Sequence, residues 1–114
     1  MKKTVYVPER GDVVWLDFDP QAGHEQSGRR PAFVLSPARY NASTGLMLCC
    51  PVTSRVKGYP FEVAVAGDTG VQGVILADQV KSLDWQVRKA ERKGSVPKEV
   101  LEEVLDKIRV ILED

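Results

Sequence analysis

The sequence predicts a mainly β protein, a small barrel or sandwich of short strands with one C-terminal helix. Short apolar or alternating stretches recur before Pro97, separated by segments rich in Gly, Pro, Asn and Ser. From Val96 onward, the apolar residues instead repeat with the period of a helix. The length of 114 residues and a hydrophobic fraction of 43% are those of one globular domain, residues 1–114.

Five stretches predict the strands. DVVWLDF (12–18) alternates, with Val14, Leu16 and Phe18 on one side and Val13, Trp15 and Asp17 on the other, as expected of a strand. PAFVLS (31–36) and GLMLCCPVT (45–53) are apolar runs bounded by turn residues, so they predict buried strands. PFEVAVAG (60–67) alternates again, and GVILADQVKSLDW (73–85) supplies one or two further strands.

The connecting segments are predicted as turns from their Gly, Pro, Asn and Ser content. They are PQAGHEQSG (20–28), RYNASTG (39–45), KGYP (57–60) and AGDTGVQG (66–73). VRKAERKGSV (87–96) predicts a final polar hairpin.

The C-terminal segment from Val96 to Asp114 predicts a helix with one apolar face that packs on the barrel. Pro97 suits a first turn, and Glu99 favours the positive end of the helix dipole. The apolar face consists of Val100, Leu101, Val104, Leu105, Ile108, Ile111 and Leu112.

Composition argues against several classes of protein. No apolar stretch approaches the roughly 20 residues that span a bilayer, and the N-terminus has no signal-peptide h-region, so we expect no membrane association. The adjacent Cys49 and Cys50 have neither the geometry of a mutual disulfide nor metal-ligand spacing, and there is a single histidine. We therefore expect no metal, no cofactor and a reducing, cytoplasmic location.

Charge is segregated although the net charge is zero. No Asp or Glu occurs between Gln26 and Phe61, and six acids fall between Glu99 and Asp114. The acid-free segment contains Arg29, Arg30, Arg39, Arg55 and Lys57. A neutral chain can therefore have one positive face that holds a polyanion.

The segment GHEQSGRRPAFVLS (23–36) concentrates chemically useful groups. Pro31 restricts Arg30 to extended backbone, which presents its guanidinium at the start of a strand. A planar guanidinium binds phosphate bidentately. Thr53 is a candidate hydroxyl donor to a phosphate oxygen, and His24 is a candidate acid or base or a solvated turn residue.

Three stretches in order resemble the MazF/PemK family of toxin endoribonucleases, the mRNA interferases. They are GDVVWLDFDPQAGHEQSGRRPAFVLSP, YNASTGLMLCCPVTSRVKGYPFEV and LADQVKSLDW, and the resemblance runs from about Val5 to the final helix. It implies an SH3-like β-barrel with a C-terminal helix, and a homodimer. It also implies metal-independent, sequence-specific cleavage of single-stranded RNA and neutralisation by a cognate antitoxin.

The resemblance assigns the family's catalytic arginine and threonine to Arg30 and Thr53, and its glutamate to Glu25. Some members have histidine directly before the arginine, whereas this chain has Arg29 there and its histidine at His24. Groove-shaping positions of the family fall on Gln26, Asn41, Asp78 and Gln79.

Cleavage by the RNA's own 2′-hydroxyl leaves a 2′,3′-cyclic phosphate and a 5′-hydroxyl, and requires charge stabilisation and two proton transfers. Arg30 suits charge stabilisation and donation to the leaving oxygen, Glu25 suits the general base, and Thr53 suits a phosphate contact. His24 is a possible helper.

Base recognition is expected from aromatic rings and amides, and phosphate contact from Arg29, Arg55 and Lys57. The candidate base readers are Tyr40, Asn41, Tyr59, Asp78 and Gln79, although the tyrosines are equally compatible with the core or a subunit interface. The expected antitoxin brings an acidic, partly disordered segment that folds into the same groove.

Two other functions remain open from the sequence. Toxins of the CcdB type use the same barrel to bind DNA gyrase and need neither Arg30 nor Thr53. A non-catalytic RNA-binding module would retain the groove without turnover. The EQSGRRP segment together with Thr53 favours the nuclease over both.

Overall fold

A computed structural model describes residues 5–18 and 28–113. Within these ranges the chain forms seven strands and two helices, in agreement with a mainly β fold closed by a C-terminal helix. The elements are β1 Asp12–Asp17, β2 Arg29–Val34, α1 Ala38–Thr44, β3 Leu46–Thr53, β4 Glu62–Ala64, β5 Val74–Leu76, β6 Lys81–Asp84, β7 Glu91–Ser95 and α2 Lys98–Glu113.

All strand pairs are antiparallel, in the order β4-β5-β3-β2-β1-β7. Along one edge, strand β3 pairs with two strands in succession. Leu46 to Cys49 pair with β6, whereas Val52 and Thr53 pair with β5. The sheet therefore curls around β3 into a half-barrel, and the C-terminal end of β3 lies where β2 and β5 approach it.

The central strands are buried on both faces, which explains their apolar runs. Phe33 and Cys50 belong to one core cluster, whereas their neighbours Val34 and Cys49 belong to another. Helix α2 covers the first cluster through Val104, which is completely buried. Its packed neighbours on the same helix face are Val100, Leu101, Leu105 and Ile108.

The helix prediction for the C-terminus is confirmed over Lys98–Glu113. Pro97 precedes the first turn, and its carbonyl accepts the N–H groups of Val100 and Leu101. The last part of the predicted apolar face, Ile111 and Leu112, is exposed. Neither helix in the described ranges is both long and apolar enough to cross a membrane.

Two local predictions are wrong. The segment 39–45, predicted as a turn, contributes most of helix α1, which ends at Gly45 in the left-handed conformation. The segment 87–96 is not a hairpin, because β7 pairs with β1 while β6 pairs with β3. Short polar helices and turns share Asn, Ser, Thr and Gly, so composition does not separate them.

Candidate active site

A groove of about 360 Å³ opens between the ends of β2 and β3, the segment after β3 and the turn after β5. Seven residues singled out from the sequence line it: Arg30, Thr53, Arg55, Lys57, Tyr59, Asp78 and Gln79. They come from three separate parts of the chain, and the curled sheet brings them together. We refer to this cavity as the groove.

Arg30 and Thr53 lie near each other in the fold because they are at the adjoining ends of paired strands. The β2–β3 pairs run from Val34 opposite Cys49 to Ala32 opposite Pro51. Arg30 lies two residues before Ala32 and Thr53 two residues after Pro51, so both lie just beyond the last pair of this ladder, and both line the groove. Arg30 is exposed, so its guanidinium is accessible to a ligand in the groove.

Thr53 is the last residue of β3 and pairs with Val74 of β5. Its Oγ1 accepts a hydrogen bond from the backbone N–H of Arg55, at 3.1 Å. Because Oγ1 is the acceptor in this bond, the hydroxyl proton can still be donated to a phosphate oxygen. The same bond fixes the direction in which the chain leaves β3.

The segment after β3 is held by the carboxylate of Glu62. The backbone N–H groups of Lys57 and Gly58 donate to it at 3.1 and 3.0 Å. The ammonium of Lys57 lies 5.8 Å from the centre of the Tyr59 ring. The ring is 58% exposed, which leaves it available as a stacking surface.

Among the described residues that line the groove, positive charges outnumber negative ones. Its cationic residues are Arg30, Arg55, Lys57 and Lys81, against the two carboxylates of Glu62 and Asp78. Since Glu62 is already bonded to two N–H groups, the field at the groove favours an anion. Lys81 and Phe18 also line it but were missed from the sequence, because the first lies on short β6 and the second appears as core.

A second pocket of about 380 Å³ adjoins the groove and shares Arg30 and Thr53 with it. Its other lining residues include Trp15, Arg29, Pro31, Ser54, Val71 and Gln72. The Arg30–Thr53 pair therefore stands at the boundary between two cavities.

Arg29 contributes to the fold more than to the groove. Its guanidinium donates to the Asp17 carboxylate at 3.0 Å and to the carbonyls of Trp15 and Lys89 at 3.2 and 3.0 Å. A carboxylate oxygen of Glu91 lies 3.6 Å away. Arg29 thus joins β1, β2 and β7 at the edge of the second pocket.

Asn41 and Tyr40 do not line either cavity. Asn41 is completely buried, and its amide donates to the carbonyls of Pro8 and Ser36 while accepting from the Ser36 hydroxyl. The prediction that Asn41 reads RNA is therefore corrected: it is a structural residue that fastens α1. Tyr40 is exposed on the same helix, away from the groove lining.

The two thiols lie in the core and take no part in the groove. Cys49 and Cys50 point to opposite clusters of β3 and are free. Burial raises the pKa of each thiol to about 12, so both are neutral near pH 7.

Glu25, His24 and Gln26 lie outside the described residues. Within residues 5–18 and 28–113, no group of three or more His, Cys, Asp or Glu side chains is arranged to hold a metal ion.

The comparisons with known proteins agree on one family. Residues 9–112 match the family described as PemK-like, MazF-like toxin of type II toxin–antitoxin system. The Endoribonuclease toxin MazF of Escherichia coli K12 is 53% identical over 107 residues, covering 94% of this chain and 96% of that protein.

Two solved structures from Deinococcus radiodurans have the same fold. Its MazF crystal structure superposes with a TM-score of 0.85 at 59% identity, covering 96% of this chain and all of that chain. A MazE–MazF crystal structure gives a TM-score of 0.85 at 53% identity, covering 96% of this chain and 98% of that chain.

Proposed function

The chain belongs to the PemK-like, MazF-like family of type II toxin–antitoxin toxins, and we propose that it is an endoribonuclease that cuts single-stranded mRNA in the groove. Cleavage of mRNA would stop translation and growth. The observation that supports this function best is that Arg30 and Thr53 line one groove, whose described lining residues have more positive than negative charges. Relatives at 53% and 41% identity are named endoribonuclease toxins.

The proposed reaction uses the substrate's own nucleophile. The 2′-hydroxyl oxygen attacks the adjacent phosphorus, its proton passes to a general base, and the P–O5′ bond breaks. The leaving 5′-oxygen takes up a proton, which gives a 2′,3′-cyclic phosphate and a 5′-hydroxyl. The reaction consumes no water and needs no metal ion. DNA cannot react because it lacks the 2′-hydroxyl.

Arg30 and Thr53 have complementary roles in this reaction. The guanidinium of Arg30 neutralises charge that grows on the phosphoryl oxygens and can donate a proton to the leaving oxygen. The Thr53 hydroxyl donates to a phosphate oxygen, held by its bond from the Arg55 N–H. Arg30 is a poor general base because a guanidinium hardly deprotonates in proteins. Glu25 is the proposed base, with His24 as a helper.

Sequence preference is proposed to come from side chains on the groove walls. The exposed ring of Tyr59 offers a stacking surface, and the Asp78 and Gln79 side chains offer acceptors and donors to base edges. Arg55 and Lys57 contact the flanking phosphates.

The proposed protein partner is a cognate antitoxin whose acidic, partly disordered segment folds into the groove and excludes RNA. The positive groove suits such a segment, and one of the similar crystal structures is that of MazE–MazF from Deinococcus radiodurans. The two buried, unpaired thiols are compatible with a reducing cytoplasm, where both mRNA and antitoxin would be met.

A homodimer is proposed as the functional assembly. Leu46 and Leu48 project from the same side of β3 and are exposed, which is compatible with an apolar contact between subunits. Two-fold symmetry would generate two equivalent grooves. Light scattering at micromolar concentration tests this assembly, and a mass of one chain would contradict it.

The decisive experiment is cleavage of a long, bare single-stranded RNA in the presence of EDTA. We expect discrete fragments with cyclic phosphate and 5′-hydroxyl ends, and no cleavage of DNA with the same sequence. Activity that is lost in EDTA and restored by magnesium would refute the mechanism. No cleavage under either condition, together with inhibition of DNA gyrase, would support the CcdB-type alternative.

A further inference from the structure

We propose that the second pocket binds one of the two bases that flank the scissile phosphate, namely the base on the side away from the groove. The pocket thereby sets sequence preference at that position. This proposal rests on the proposed nuclease function. It assigns to the second pocket, with Trp15 and Gln72 on its walls, a role in substrate selection.

The expected path of the RNA passes both cavities. Arg30 and Thr53 line both cavities, so a phosphate held by this pair has a cavity on either side. If the reacting phosphate lies at Arg30 and Thr53, and the nucleotide on one side of it occupies the groove, the RNA chain continues past these two residues toward the second pocket. The volume of about 380 Å³ is within the range of pockets that enclose small organic ligands.

The chemistry of the walls suits a nucleobase. Trp15 is partly buried on β1, and its backbone is fixed by pairing with Pro31 and by the Arg29 guanidinium, which donates to its carbonyl. An indole held in this way offers a stacking surface that tolerates any base. Gln72 is exposed and its amide both donates and accepts, as reading a base edge requires.

The wall that contains Val71 and Gln72 is held by hydrogen bonds within the chain. The Val71 N–H donates to the Thr69 hydroxyl oxygen at 3.0 Å, and the Gly73 carbonyl accepts from the Val65 N–H at 3.0 Å. Thr69 is buried against β7, where a β-carbon on Gly94 would lie 2.8 Å from its Cα. A preformed wall lowers the ordering cost of binding, which favours a role in recognition.

The test compares abasic substrates. Once the cleavage site has been mapped on a long RNA, short oligoribonucleotides are made with an abasic ribonucleotide on one or the other side of the scissile phosphate. For the wild-type protein, removing the base that occupies the second pocket should lower kcat/KM by about 10- to 100-fold, the usual worth of one stacked base.

The variants Trp15→Leu and Gln72→Ala identify the pocket that binds this base. With Trp15→Leu, the same abasic substitution should cost less than about 3-fold, because the stacking contact has already been lost, and with Gln72→Ala it should cost less than it does with the wild-type protein. Sensitivity to the abasic position on the groove side should be unchanged. Gln86→Ala is the matched control, since Gln86 is exposed and lines neither cavity.

Gln72→Ala keeps the test valid if Trp15→Leu fails to fold, because Gln72 lies outside the strands and the core. Full abasic sensitivity on both sides in a folded Gln72→Ala or Trp15→Leu protein that cleaves RNA would overturn the proposal. Unchanged RNA kinetics combined with loss of antitoxin neutralisation would also overturn it, by assigning the pocket to a protein segment. Absence of cleavage by the wild-type protein would instead contradict the proposed function itself.

Discussion

Gly73 lies directly against the backbone of Thr53. A β-carbon at Gly73 would lie 2.1 Å from the Thr53 carbonyl oxygen and 2.8 Å from its carbonyl carbon. Gly73 also has a φ of +129°, a conformation that residues with a β-carbon rarely adopt. Since Val74 pairs with Thr53, the glycine lets the chain enter β5 without displacing the proposed catalytic hydroxyl.

Gly73→Ala should therefore damage both the fold and the site. We expect the free energy of unfolding to fall by more than about 2 kcal/mol, from backbone strain and the displaced strand end. Cleavage should fall even at temperatures where the variant is fully folded. Urea unfolding and single-turnover cleavage measure the two effects.

Gly45→Ala is the control for the strain of a left-handed glycine. Gly45 has a φ of +76° at the end of α1, with no atom within 4 Å of an added β-carbon. This variant should lose about 1 kcal/mol of stability and retain its cleavage rate. Wild-type cleavage by Gly73→Ala would show that the contact with Thr53 does not position the hydroxyl.

Arg30→Ala should reduce cleavage by at least about 10²-fold, since it removes the guanidinium that we propose stabilises the developing charge. Arg30→Lys should remain strongly impaired, because a point charge does not reproduce a planar bidentate donor. Arg39→Ala is the matched control, since Arg39 is exposed on α1 and lines neither cavity. The measurement is the single-turnover rate, with circular dichroism to check folding. A wild-type rate for Arg30→Ala would exclude the proposed mechanism.

Thr53→Val should lower the cleavage rate by about 10²-fold or more, because it removes a hydroxyl directed at the phosphate while retaining the side chain's shape. It also removes the acceptor for the Arg55 N–H. Thr53→Ser restores both hydrogen-bonding functions and should recover most of the rate. Equal rates for the Val and Ser variants would mean that the hydroxyl has no part in the reaction.

Glu25→Gln should lower the cleavage rate by about 10²- to 10⁴-fold if Glu25 is the general base, with little change in RNA binding. The acidic limb of the pH–rate profile should disappear in the same variant. His24→Ala, the contrasting change, should cost much less. The opposite ranking of the two variants would assign proton transfer to the imidazole.

The stability of the protein should decrease at alkaline pH. Burial raises the pKa of Cys49 and Cys50 to about 12, and burial and the hydrogen bond to Asp12 raise the pKa of Tyr6. The unfolded chain releases these protons at lower pH than the folded chain does, so stability is fully present below about pH 8 and is lost as pH rises. Urea unfolding at pH 8 and pH 10 measures this loss.

The double variant Cys49→Ala, Cys50→Ala should show a smaller decrease between these two pH values. In the folded wild-type protein at pH 8, both thiols should resist alkylation and react only after unfolding. Rapid alkylation without unfolding would contradict their burial.

The sequence by itself determined the class of fold and the chemical character of the site. The apolar runs in β2 and β3 indicate strands buried on both faces. The periodicity from Val100 to Ile108 indicates a helix packed on one side. These signals are local, since they depend on the spacing of neighbouring side chains. The proposed roles of Arg30 and Thr53 likewise came from their residue types, the restriction by Pro31 and the family resemblance.

Tertiary structure decided which of the candidates share a cavity. Asn41 and Gln79 are both amide side chains in turn-like sequence, yet one is buried in the anchoring of α1 and the other lines the groove. The segment 87–96 is mispredicted because β7 pairs with β1, which is distant in the chain. The contact between Gly73 and Thr53, the second pocket and the position of Lys81 all depend on how the sheet curls around β3, and strand pairing across long separations leaves no periodic signal in the sequence.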